Sequence, residues 1–331
     1  MSSRQRTWAL VLAAGDGTRL ATLTTDANGR AVPKQFCSLD GGHSLLDEAV
    51  QRGRRIVPRE RLCVIVAADH RRFWQPALWA LPSGNVIVQP RNCGTANGIL
   101  LAVLRILERD PLARIVFLPA DHYVSDEVGL GRSVHAAVTL LTRHPRSPVL
   151  VGIEPEEADP ELGYIVPGRA LADGAHSVAR FVEKPERRLA RALLANGALW
   201  NSFIFAASGP TLVGMMRERM PELVESMATA LARESRSGAR SEALDELYQE
   251  LPPVDFSRAV LQGAEDKLRV VKAPACGWSD LGTPKRVADT LKRIEHERLE
   301  RPRAASRTPS STFAPAIISL AAQHARLGLA G

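Results

Sequence analysis

Apolar residues fill Trp8–Leu12 and then stop abruptly at Gly15-Asp16-Gly17-Thr18-Arg19. Three more short apolar runs, Leu62–Ala67, Val86–Gln89 and Ile115–Leu118, read as strands. Between them, segments 44–56, 71–80, 95–109 and 128–143 carry apolar positions at helical spacing. This alternation predicts an α/β fold, a mixed but mostly parallel sheet flanked by helices, and the unbroken apolar strands fit a sheet covered on both faces. Segment 95–107 is apolar almost all round, which predicts a deeply buried helix.

Past residue 150 the rhythm changes. Strands over 162–167 and 177–182 flank the turn-rich Ala172-Asp173-Gly174-Ala175 and predict an inserted hairpin. A strand at 200–206, helices at 209–219, 221–234 and 240–250, a strand at 268–273 and a helix at 284–299 complete the body. One domain is expected over 1–300, in two halves of about 8–150 and 151–300, followed by a disordered basic tail over 301–331.

Composition narrows the function classes. With 331 residues, 45% hydrophobic and 24% charged, the chain is no disordered, collagen-like or disulfide-stapled protein. The net charge of +7 is concentrated at the ends, in Arg4 and Arg6 and in Arg301, Arg303, Arg307 and Arg326. A nucleic-acid footprint belongs on the fold itself, so no nucleic-acid partner is expected. Cys37, Cys63, Cys93 and Cys276 form no C-x-x-C pair, which argues against a zinc site or disulfide frame. No run approaches the roughly 18 apolar residues of a membrane span. The apolar run after Arg6 leads into a glycine turn rather than a cleavage site, so a cytoplasmic protein without a membrane partner is expected.

The candidate chemistry sits where strands end. After the first strand, Ala14, Gly15, Gly17, Thr18 and Arg19 form a turn whose amides and guanidinium suit phosphate oxygens. It is neither a Walker A loop nor the dinucleotide fingerprint, and alone it also reads as a plain strand-to-helix turn. Pro33-Lys34-Gln35-Phe36 supplies a second cation in a chain with few lysines, unless Lys34 and Lys184 are merely solvated. In Gln89-Pro90-Arg91-Asn92-Cys93-Gly94-Thr95, Gln89 has a donor and an acceptor for a base edge. The helix start at Gly94-Thr95 offers amides to an anion, or Thr95 simply caps its helix. Asp121, at the end of Ile115–Asp121, stands where open α/β sheets bind ligands, or it caps the next helix. His122 reads as a loop-lining residue and Trp200 as core. Glu183 and Asn201 suit sugar hydroxyls and Lys184 a monophosphate, while Asp280 in Trp278-Ser279-Asp280-Leu281-Gly282 repeats the strand-end acid of Asp121. One such carboxylate with phosphates and water is how Mg²⁺ is usually held.

Taken in order, LAAGDGTRL, PKQF, QPRNCGTA, LPADH, LGYI, FVEKP, LWNS and WSDLG resemble the sugar-phosphate nucleotidyltransferases, with mannose-1-phosphate guanylyltransferases the nearest group. The resemblance covers roughly residues 8–295. It implies a Rossmann-like catalytic domain, with a nucleotide half and a sugar-phosphate half, that joins a nucleoside triphosphate (GTP the first choice) to a sugar 1-phosphate (mannose 1-phosphate the first choice). It places Gly15, Gly17, Thr18, Arg19 and Lys34 at the triphosphate, with Ala14 beside them, and Gln89, Gly94 and Thr95 at the nucleoside. Asp121 and Asp280 become Mg²⁺ ligands, and Gly163, Glu183, Lys184 and Asn201 the sugar-phosphate pocket. Arg19, Lys34 and Asp121 are then the catalytic set. The sequence departs from that pattern at Ala14, where those enzymes usually have Gly, at Gln89, where many have Glu, and at Phe203, where Gly is frequent. It also lacks the Trp-Pro that often follows the glycine loop. A uridylyl-, thymidylyl- or cytidylyltransferase of the same fold is the first alternative. A catalytically silent nucleotide-sugar-binding regulator is the second. The sequence leaves open whether the chain forms a homo-oligomer.

Overall fold

The computed structural model describes residues 6–26, 29–237, 242–300 and 316–318. Its strands are β1 Thr7–Ala13, β2 Cys37–Ser38, β3 Leu62–Ala67, β4 Val86–Gln89, β5 Arg114–Pro119, β6 Val149–Ile153, β7 Tyr164–Ala170, β8 His176–Val182, β9 Leu199–Ser208, β10 Arg269–Lys272 and β11 Ala316–Ile317. The α-helices are α1 Leu45–Arg54, α2 Arg71–Ala77, α3 Thr95–Arg109, α4 Glu127–Arg143, α5 Arg187–Ala195, α6 Gly209–Arg219, α7 Pro221–Ser237, α8 Glu242–Glu250 and α9 Pro284–Glu300. Nine strands form one sheet in the order β4-β3-β1-β5-β9-β6-β10-β8-β7. From β4 to β5 the neighbours run parallel. β9 is antiparallel to both β5 and β6, β10 is parallel to β6, and β7–β8 is the expected hairpin.

Two hydrophobic clusters cover the two faces. Along β1, Ala9, Val11 and Ala13 enter one cluster and Trp8 and Leu10 the other; in β3, Leu62, Val64 and Val66 alternate likewise with Cys63 and Ile65. Because both faces are buried, the strands read as unbroken apolar runs rather than as alternating ones. Helix α3 is buried through Ala96–Val103 and again at Ile106, as its all-round apolar sequence predicts. At α1, the Ser44 side chain accepts from the Asp47 backbone while the Asp47 carboxylate receives the Ser44 amide. This reciprocal cap fixes the helix start.

Strand β6 and helix α5 were not anticipated from the sequence. Within the expected tail, Ala316–Ile317 pairs parallel with β2 and Ile318 is buried. The rest of 301–331 lies outside the described residues. No helix among the described residues is long and apolar enough to cross a membrane.

Candidate active site

A cleft of about 330 Å³ opens at the carboxyl ends of β1, β3, β4 and β5 and reaches across to the hairpin side. That is where open α/β sheets place ligands. It brings together Ala14, Gly15, Gly17, Arg19, Gln89, Gly94, Thr95, Asp121, Gly163, Glu183, Lys184, Asn201 and Asp280, which the sequence had singled out piecemeal. Thr18 opens a single 3-10 turn between Gly17 and Arg19.

The glycine loop is tied down before any ligand arrives. Gln35 is buried, and its Nε2 donates to the carbonyls of Ala13 at 3.0 Å and Gly15 at 2.8 Å. Asp16 accepts from Asn92 Nδ2 at 2.9 Å and lies 3.6 Å from His70 Nε2. Arg19 stands at the exposed rim, paired with Glu161 at 3.1 Å. That contact uses one of the five guanidinium donors.

Lys34 corrects an expectation. It is only 6% exposed, and its ammonium donates to the Asp280 carbonyl at 2.6 Å and the Leu281 carbonyl at 3.3 Å while lying 3.1 Å from Asp121 Oδ2. It sits beneath the acids as a strut, not free in the cleft beside a phosphate. Burial alone would raise the Asp121 pKa, yet the Lys34 ammonium and then His122 hold it below the ordinary carboxylate range. Asp121 caps no helix: Asp126 accepts from Gly129 at the start of α4. Burial lowers His122 to about 4 against the pull of Asp121 and Asp280. Its Nδ1 accepts from Trp278 Nε1 at 3.3 Å, which suits a neutral imidazole lining the cleft. Trp200 is buried, as expected of a core residue.

Asp280 is held by a residue that no motif revealed. Arg286, buried in α9, pairs Nε with Asp280 Oδ1 at 2.8 Å and donates from Nη2 to Oδ2 at 3.2 Å. Its Nη1 binds Asp159. Asp159 belongs to an acidic stretch that is zipped to cations along its length: Glu154 to Lys272, Glu156 to Arg293, Glu157 to Lys285, and Glu161 to Arg19. The loop between β6 and β7 thus links Asp280 to the glycine loop.

The start of α3 also differs from expectation. The Ala96 amide donates to Val254 O at 3.0 Å, the Gly94 amide to Asn92 Oδ1 at 3.0 Å, and Thr95 Oγ1 accepts from the Phe256 amide at 2.8 Å. Val254 therefore takes the Ala96 amide and Asn92 the Gly94 amide, two of the donors expected to face an anion, and Thr95 is no cap. A side chain at Gly94 would collide with segment 252–257, since a Cβ would lie 2.5 Å from Val254 O. The same segment brings Asp255 and Ser257 into the cleft, and neither belongs to a recognisable pattern.

On the hairpin side, a Cβ at Gly163 would lie 2.5 Å from Glu183 Oε2, so the glycine makes room for that carboxylate. Burial and then Asp255 push Glu183 up to about 7 against Lys184 and Arg258. Glu183 Oε2 and Gln89 Oε1 are both buried without a hydrogen-bond partner. Both oxygens lie against glycine backbone, Gln89 Oε1 at Gly98 and Glu183 Oε2 at Gly163. Lys184, Phe203 and Leu281 have φ of 48°, 57° and 50°. These strained non-glycine residues all lie in the cleft or beside Asp280.

Among the described residues no group of three or more His, Cys, Asp or Glu side chains is arranged to hold a metal. Asp121 and Asp280 are joined through Lys34, which touches the carboxylate of one and the carbonyl of the other. Oxygen donors suit a hard cation, and each carboxylate oxygen keeps acceptor capacity beyond the partner it already has. These residues fit a Mg²⁺ that takes its other ligands from phosphates and water.

Comparison with known proteins identifies the family. The nucleotidyl transferase family model matches residues 8–297. The chain is 31% identical over 284 residues to mannose-1-phosphate guanylyltransferase of Klebsiella pneumoniae and 30% identical over 284 residues to that of Escherichia coli. Each alignment covers 83% of this chain but 58% of the relative, so the chain spans little more than half the length of these proteins. A crystal structure described as mannose-1-phosphate geranyltransferase from Thermus thermophilus is 30% identical, with a TM-score of 0.72 over 84% of this chain and 76% of that one. UDP-glucose pyrophosphorylase in complex with UDP-glucose shares the fold at 14% identity, with a TM-score of 0.57 over 88% of this chain and 99% of that one.

Proposed function

The chain belongs to the nucleotidyl transferase family, and from that premise we propose that it condenses GTP with mannose 1-phosphate to give GDP-mannose and pyrophosphate. The observation that carries this reading is convergence. Arg19, Gln89, Asp121, Glu183, Lys184, Asn201 and Asp280 come from distant parts of the chain and line one cleft. The choice of GTP and mannose follows the guanylyltransferases to which the chain is 31% and 30% identical.

The reaction needs no protein nucleophile. A phosphate monoester has a second pKa near 6, so a sugar-phosphate oxygen is already anionic at neutral pH. That oxygen attacks the α-phosphorus of the triphosphate. A new P–O bond forms, the bond to the β-phosphate oxygen breaks, and its electron pair leaves with pyrophosphate. The difficulty is to hold two polyanions in line, so positioning and fixed charge dominate.

In this reading the Gly15, Gly17 and Thr18 backbone and Arg19 hold the β- and γ-phosphates, with Ala14 against the nucleotide. Gln89 lines the cleft where the base would sit, beside Gly94 and Thr95. Glu183 and Asn201 take sugar hydroxyls over Gly163, and Lys184 holds the attacking phosphate. Lys34 keeps Asp121 ionised from beneath. Asp121 and Asp280 would hold Mg²⁺, which when bound offsets negative charge on the triphosphate. Arg286 keeps Asp280 turned toward that position.

The test is a matrix of nucleoside triphosphates against sugar 1-phosphates with Mg²⁺, following pyrophosphate and weighing each product. GTP with mannose 1-phosphate should give the fastest release. A faster pairing with UTP, dTTP or CTP would reassign the base. No release from any pair would reject the activity.

A further inference from the structure

Phe203 stands where its residue type is costly. β6 and β9 pair with Leu150 opposite Phe205 and Gly152 opposite Asn201. Val151 therefore faces Ser202, Phe203 and Ile204 alone, and β9 bulges. At the bulge Phe203 has φ 57°, a region that bulky L-residues rarely enter and glycine enters freely. The bulge is locked from both sides. Ser202 Oγ donates to Val151 O at 2.6 Å and accepts from the Ile204 amide at 3.1 Å, and Asn201 Oδ1 accepts from the Phe203 amide at 3.1 Å. Backbone conformation alone favours glycine here, so the reason for phenylalanine lies in its ring.

The ring is fixed edgewise between two others, at centroid distances of 6.1 Å to Phe205 and 5.9 Å to Phe256. Phe203 also lines the cleft, in company with Glu183, Asn201, Asp255 and Ser257. Bulges beside active sites commonly re-aim a side chain, and this one delivers an aromatic surface to a polar pocket. Two carboxylates, an amide and a hydroxyl line the same cleft as this ring, a combination that suits a ligand ring with hydroxyls at its edge and C–H bonds on its face.

We propose that Phe203 is a specificity-determining residue whose ring is the apolar wall for the C–H face of a pyranose 1-phosphate. The assignment rests on the proposed function and deepens it: the second substrate is a pyranose held by stacking as well as by its hydroxyls.

The experiment compares Phe203→Leu, Phe203→Tyr and Phe203→Gly with the wild-type chain, measuring KM for mannose 1-phosphate and, separately, the Kd for GTP. Leu keeps the bulk and the strained backbone but removes the π face. It should raise the sugar-phosphate KM roughly 5- to 10-fold while the GTP Kd stays within about 2-fold. Tyr should recover most of that loss. Gly, which suits the bulge backbone and lacks the wall, should lose at least as much as Leu. A sugar-phosphate KM unmoved in both Leu and Gly variants overturns the inference, as does a parallel rise in the GTP Kd. If the wild-type chain uses no sugar 1-phosphate, the proposed function falls and takes this inference with it. If it does and Leu and Gly are silent, only the wall is refuted.

Discussion

On the side of the cleft built from β1, β3, β4 and β5, most polar groups are tied down by the protein itself. Gln35 braces the glycine loop, Lys34 lies 3.1 Å below Asp121, and segment 252–257 covers the start of α3. On the hairpin side, from β7 to β9, Asn201 is hydrogen-bonded at both amide atoms but its neighbours are less settled. Glu183 carries an orphaned oxygen and a raised pKa, and Lys184 and Phe203 hold strained backbones. The first side is held by contacts within the protein, and the second carries a buried unpaired carboxylate oxygen beside a strained backbone. A rigid phosphate platform limits reorganisation when charge develops, whereas orphaned groups give selectivity, since a wrong ligand leaves them unpaired.

The largest expected effect breaks the platform. Asp121→Ala removes the carboxylate that Lys34 supports. Turnover should fall on the order of 10³-fold, with no rescue by added Mg²⁺. A loss below about tenfold in a steady-state assay would mean that the platform does not act through this acid.

Next comes the link between the two sides. Arg286→Leu leaves Asp159 and Asp280 without their shared cation, with side chains only 13% and 12% exposed. Urea unfolding should show about 3 kcal/mol of lost stability. A change under roughly 0.5 kcal/mol would show that the acidic loop and α9 are not joined through this residue.

The orphaned side predicts a pH dependence. The Glu183 carboxyl rises from 4.5 to about 7 in the folded chain, so the folded state binds its proton more tightly. Its contribution to stability is therefore present in full below pH 4.5 and fades as pH rises through about 7. Glu183→Gln should flatten that part of the curve in ligand-free protein, by on the order of 1 kcal/mol once solvent screening is allowed for. Parallel curves for the two proteins would remove Glu183 from the set of unsatisfied groups.

The smallest effect concerns the rim. Glu161→Gln frees Arg19 from its exposed partner. Pyrophosphate should bind about 2- to 3-fold more tightly at low salt, and the gain should vanish in high salt. Weaker binding would assign Glu161 a direct part in holding the ligand.

Much of the platform was legible in the sequence because its signals are local. An apolar run followed at once by glycines or an acid marks a strand end, and β1, β3, β4, β5 and α3 lie within a residue or so of where the pattern puts them. Strand β6 was missed although Val149–Ile153 is apolar, because Gly152 reads as a break within it. Helix α5, Arg187–Ala195, was missed although it is amphipathic, with Ala190 and Leu193 buried and three arginines exposed. Arg286, Glu161, Asp255 and Ser257 reach the site through long-range pairing, which leaves no periodicity to read. The bulge at Phe203 depends on register between β6 and β9, and register is a property of two strands together.

The central claim is that two anions meet directly in this cleft, with the sugar phosphate as the attacking group. Mannose 1-phosphate labelled with heavy oxygen at its non-bridging phosphate positions, incubated with GTP, Mg²⁺ and the full chain, tests it by mass spectrometry of both products. The account predicts GDP-mannose that retains all of the label and pyrophosphate that carries none. Label in the pyrophosphate, or no GDP-mannose at all, would contradict it.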